Sequence, residues 1–156
     1  MSPMSIAIPL HLLSAVIWVG GMFFAYQCLR PAAASILEPP ERLKLWVGVF
    51  KLFFLWVWVA IVLILGSGYW MVFSVFGGFK GAGIHVMLMQ AIGVTMMLIF
   101  MHVFFAPYGR LKRAVAQQNW SEGAQALGQI RQLVGANVLL GLLVILIGAG
   151  GRYWNL

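Results

Sequence analysis

The chain has 156 residues, of which 63% are hydrophobic and 8% charged; its net charge is +7 and its mean hydropathy +0.97. A soluble domain carries roughly 25% charged residues because its surface faces water, so this composition excludes one and calls for lipid around most of a single domain spanning 1–156. The basic residues lie between apolar runs, where topology and headgroups account for them rather than a nucleic-acid partner, and the lone Cys28 excludes an internal disulfide.

Crossing about 30 Å of hydrocarbon takes about 20 residues of helix, and four stretches qualify. The first is predicted over about 6–29, from Ile6 to Leu29, and ends at Arg30-Pro31. No basic residue precedes it and it is about twice as long as a signal-peptide core requires, so it reads as a retained helix. A polar connection with Glu38-Pro39-Pro40-Glu41-Arg42 follows, where proline stops a helix. The second helix is predicted over about 46–76, with Lys51 reaching back toward headgroups near its start. Gly77 to Gly81 is a turn. The third helix covers about 84–106 and closes at Pro107-Tyr108-Gly109. The polar stretch from Arg110 to Arg131 reads as an interfacial or extramembrane helix, and the fourth span covers about 133–150. Barrel strands alternate in polarity; these runs do not. The fold class is therefore an all-α integral membrane protein, a four-transmembrane-helix bundle.

The first and third connections hold Arg30, Arg42, Lys44, Arg110, Lys112, Arg113 and Arg131, with Lys51 beside them; the other end holds Lys80 and Arg152. The positive-inside rule then puts both termini on the non-cytoplasmic side of a bacterial inner (plasma) membrane.

All three histidines fall in or beside apolar spans, where an ionisable group is a functional-site candidate. His11 lies about five residues into the first helix from the outer end. His85 is the second residue of the third helix, counted from the same end. At 1.5 Å per residue the depths differ by only ~5 Å. Two imidazoles at one depth on different helices are able to hold the two faces of a haem b between the first and third helices. Trp18 lies one heptad after His11, Gly93 eight residues after His85, and Arg152 stands at the outer end in reach of a propionate. The cofactor-binding expectation is thus His11, His85, Trp18 and Arg152, with His11 and His85 as metal ligands of a b-type cytochrome. Such a protein exchanges electrons with a quinone or another redox partner. His102, ~25 Å further along the third helix, reads as a hydrogen-bonded interfacial residue.

Copper is the alternative. Met89 is one turn after His85, with Met87 nearby, Met4 seven residues before His11 and Met71 near the outer end of the second helix. Thioether and imidazole together suit Cu(I). Gly135, Gly141 and Gly148 on the fourth helix read as close-packing positions that also allow a homodimer. A third reading makes the chain a packing subunit with hydrogen-bonded histidines. No carboxylate pair, phosphate loop or nucleophile–base pair is present in the spans, so no catalytic residue is assigned, a hydrolase or ATP-driven machine is not expected, and a membrane oxidoreductase is the enzyme class considered.

The opening helix, His11-Leu-Leu-Ser-Ala-Val-Ile-Trp18-Val-Gly-Gly21-Met-Phe-Phe closing at Leu29-Arg30-Pro31-Ala32, resembles that of copper-resistance-D (CopD) type membrane proteins. It is also similar to HemJ-type protoporphyrinogen oxidases, as are Gly83-Ile-His85-Val-Met87-Leu and Gly109-Arg110-Leu111-Lys112-Arg113. These matches touch about a third of the chain. The resemblance implies a four- or five-helix inner-membrane bundle with His11 and His85 at haem-linked positions. Met87 stands where the HemJ pattern has lysine, and the run from His85 to Gly109-Arg110 is about two turns longer than in that pattern. A CopD-like or haem-binding relative fits these departures better than an oxidase does.

Overall fold

The computed structural model describes residues 4–154, apart from the side chain of Arg152. Helix α1 runs Met4–Ile36, α2 Pro39–Val75, α3 Ile84–Phe105, α4 Pro107–Ala116 and α5 Trp120–Gly150. Short 3₁₀ turns occupy Phe79–Gly81 and Gly151–Tyr153. α1, α2, α5 and the α3–α4 unit are each long and apolar enough to cross a membrane. The described residues contain no strand. An even number of crossings brings the two termini to one end of the bundle. The opposite end carries the α1–α2 and α4–α5 connections and most of the lysines and arginines, and is called the basic end below.

The helices outrun the apolar stretches that announce them. The first was expected to stop at Arg30-Pro31, yet α1 continues through Pro31 to Ile36. The reason is local. Residues Val16–Gly20 and Ala25–Leu29 are wound as π-helix, in which a carbonyl looks five residues ahead for its donor. The carbonyl of Tyr26 would thus look to Pro31, which has no N–H. The Arg30 Nε donates to it instead, at 3.1 Å, with its guanidinium 4.6 Å over the Tyr26 ring. α2 starts at Pro39, where a first-turn proline loses no hydrogen bond. The polar stretch after α3 is helical as expected, but in two parts. α4 begins at Pro107 after a sharp break at Ala106, and Trp120 opens α5 itself, with Asn119 accepting from the backbone N–H of Glu122.

Packing follows from which stripe each helix buries. In α1 the stripe is Ala7, His11, Ser14 and Trp18, at helical spacing, and its first half lies against α2. In α2 it is Trp46, Phe50, Phe54, Val57 and Ile61; the first three rings stand 5.1 and 5.0 Å apart on successive turns. Phe54 meets Phe100 of α3 edge-on at 5.4 Å and Tyr108 of α4 at 5.0 Å. α5 packs along both α3 and α4. Its glycines are the contact points: Gly135 receives the ring of Tyr26, Gly141 receives Val19 and Met96, and Gly148 receives Met89. This is the close helix approach that small residues permit in lipid. Many large aliphatic and aromatic residues outside these stripes, such as Leu12, Leu13, Leu52, Trp56 and Leu139, are exposed, as lipid-facing surface requires. α3 fully buries Met96, Met97, Phe100 and Val103 and no residue before them, so its half toward the termini meets the core only through partly buried residues such as Ile92.

Candidate functional site

His11 is half-buried in the α1–α2 interface, and its Nδ1 lies 3.0 Å from Ser67 Oγ. Ser67 is buried and donates its one hydroxyl hydrogen to the Leu63 carbonyl, a turn earlier in α2. With that hydrogen on the α2 backbone, the Ser67 oxygen accepts from His11 Nδ1–H in one of the two neutral tautomers of the ring. A neutral imidazole with its proton on Nδ1 presents a bare lone pair at Nε2, the arrangement found in metal-ligating histidines whose other nitrogen is held by a second group. Gly68 completes the niche, because a Cβ there would come within 3.3 Å of His11 Cε1. α1 and α2 are antiparallel, so the turn beyond Ser67, which carries half-buried Met71, leads from His11 toward the terminal end.

His85 and Met89 lie one turn apart on α3, and both rest on glycine. Any side chain at Gly151 would run into Cβ and Cγ of His85, and a Cβ at Gly148 would lie 2.9 Å from the Met89 sulfur. An imidazole and a thioether thus share one face of α3, seated against the end of α5. Gln90 beside them donates to the Tyr69 hydroxyl of α2 at 2.9 Å, tying α3 to α2 at this level.

The sequence-predicted residues are distributed as follows. His11 is held by α2, whereas His85 is held by the end of α5. Trp18 is buried deeper, in the first π-helical segment, edge-on to Phe100 at 6.2 Å. A Cβ at Gly93 would meet no atom within 4 Å. The side chain of Arg152 lies outside the described residues. His102 is exposed on α3, and its ring has no hydrogen-bond partner among the described residues. No three His, Cys, Asp or Glu side chains gather at one point among the described residues. A metal ion here would draw on methionine sulfur to complete its shell.

One polar group was not anticipated. Asn137 of α5 is buried at the centre of the bundle, its Nδ2 donating to the Met96 carbonyl at 3.1 Å while its Oδ1 has no partner among the described residues. It lines a small cavity with Trp18, Met22, Phe54 and Phe100. An asparagine inside the otherwise apolar fourth span was the available signal.

Residues 47–150 match the family of Copper resistance protein D. The chain belongs to the CopD family. The matched segment holds His85, Met89 and Ser67 and leaves His11 on the unmatched first helix. No curated protein and no solved structure matches the chain. Membership of this membrane family, with four spans, makes it a multi-pass inner-membrane protein in contact with the bilayer and related to copper resistance.

Proposed function

We propose that this CopD-family chain binds copper as cargo at the end of the bundle that bears its termini, on the non-cytoplasmic side, and carries it toward the membrane interior. The observation behind this reading is the contact between His11 Nδ1 and the Ser67 hydroxyl in the α1–α2 interface. With the Ser67 hydrogen on the Leu63 carbonyl, Ser67 accepts from Nδ1–H and Nε2 is left to act as a ligand, with Met71 one turn beyond Ser67 on α2. The second soft pair, His85 with Met89, sits on the glycines of α5. Imidazole and thioether without carboxylate select Cu(I) over harder divalent ions, and family membership points the same way.

A b-type haem between α1 and α3 would use the same Nε2 lone pair, and a quinone or redox partner belongs to that reading. The family match favours copper over it, and likewise over a HemJ-like oxidase. One purified sample separates the two. Titration with Cu(I) against a chromogenic chelator is expected to show tight binding that weakens at least tenfold, about 1.4 kcal/mol, in His11→Ala and in His85→Ala. The absorption spectrum is expected to be free of a Soret band after expression with ample haem. Unchanged Cu(I) affinity in both variants, or a Soret band lost in both, would overturn the copper reading.

A further inference from the structure

At the basic end, away from His11 and His85, a groove of about 260 Å³ opens between α2 and the α3–α4 break. Its floor is Phe50 and Phe54. One wall is Lys51, Leu55 and Trp58, spaced four and three residues apart along α2; the other is Phe104, Tyr108 and Lys112, four apart across the break. α2 runs away from the basic end and α3–α4 runs toward it. Lys51 and Lys112 therefore stand at the same mouth, with Trp58 and Phe104 roughly 10 Å deeper. The Lys112 ammonium is held 4.6 Å over the Tyr108 ring. Among the described residues neither lysine is in an ion pair, because the single pair there joins Lys44 to Glu41.

Two cations at the mouth of an aromatic groove that opens to lipid match an amphiphile with an anionic head and an apolar tail. We infer that this groove binds one anionic phospholipid, its phosphate between Lys51 and Lys112 and its acyl chain along Leu55, Trp58 and Phe104. Basic pockets between transmembrane helices hold anionic headgroups in this way. The rings at the floor are rigid, so little side-chain freedom is lost when the chain lies on them. A neutral lipid would leave both ammonium groups without a counter-charge. The site is independent of the copper reading.

Native mass spectrometry of the intact chain, released from mild detergent after equilibration with equimolar phosphatidylglycerol and phosphatidylcholine, tests this. One retained phosphatidylglycerol per chain is expected, preferred roughly thirtyfold, which corresponds to about 1 kcal/mol for each lysine. The preference should fall below about threefold in K51Q/K112Q and persist in K51R/K112R and in K80Q, whose charge lies at the other end. Equal retention of the two lipids by the wild type would overturn the inference, as would a preference that survives K51Q/K112Q or displacement of the lipid by inorganic phosphate alone. Should K51Q/K112Q fail to fold, vesicles containing dibrominated lipid decide. Brominated phosphatidylglycerol should quench wild-type tryptophan fluorescence more than that of Trp58→Phe, with no such difference for brominated phosphatidylcholine. Equal quenching in the two proteins refutes it.

Discussion

The Ser67 hydroxyl has one hydrogen to give, and the Leu63 carbonyl takes it. The proposal for His11 depends on that, since a Ser67 oxygen left as an acceptor favours the tautomer with the proton on Nδ1. Ser67→Ala frees the ring to rotate and to change tautomer without removing the ligand. Loss of an outer-shell partner typically costs 10–100-fold in metal affinity, so Ser67→Ala is expected to weaken Cu(I) binding by about that factor. Its effect on stability should be near 1 kcal/mol, the net worth of one hydrogen bond. Cu(I) titration and thermal melting of the same sample check both; an affinity equal to wild type would remove Ser67 from the site. The histidines were legible in the sequence because an ionisable side chain in an apolar run stands out. Their partners were not. Ser67-Gly68 reads as any small-residue step in a membrane helix, and which helix a histidine meets depends on packing that no spacing rule encodes.

At the scale of the helix, apolar runs announce where the bilayer is, while helix ends are set by backbone hydrogen bonds that continue past it. That is why four spans were readable and their limits were not. α1 shows the point most clearly, because its π-helical winding at Ala25–Leu29 lets it pass a proline that the sequence marks as a stop. If the Arg30 Nε replaces the N–H that Pro31 lacks, the two residues must be coupled. Arg30→Met removes this donor from the half-buried Tyr26 carbonyl, a loss of about 1 kcal/mol. Adding Pro31→Ala restores a backbone N–H within reach and should recover at least half of that loss. Melting temperatures of the two single variants and the double variant complete the cycle. Strictly additive effects would mean that the Arg30–Tyr26 contact does not stand in for the missing bond.

Taken as a whole, the molecule divides along its axis. The basic end holds the aromatic core and the lipid groove, and the terminal end holds His11 and His85, where α3 has no fully buried residue before Met96. A copper-loading role on the non-cytoplasmic side requires the terminal end to face that way, and the charges argue that it does. Arg30, Arg42, Lys44, Lys51, Arg110, Lys112, Arg113 and Arg131 lie toward one end, against Lys80 and Arg152 at the other. Positively charged residues within 15–20 residues of a span hold that end in the cytoplasm, and none of the connections is long enough to escape the rule. In a Cys28→Ser background, single cysteines at Lys80 and at Gln118 read the orientation directly. The first lies in the α2–α3 turn and the second in the α4–α5 connection, and both side chains are exposed. A membrane-impermeant maleimide added to intact spheroplasts should label Lys80→Cys fully and Gln118→Cys only after permeabilisation. Removing Lys80 increases the asymmetry, so that variant does not weaken the signal it reports. The opposite labelling pattern would put His11, His85 and Met89 on the cytoplasmic side, and the same residues would then release copper into the cell or collect it there.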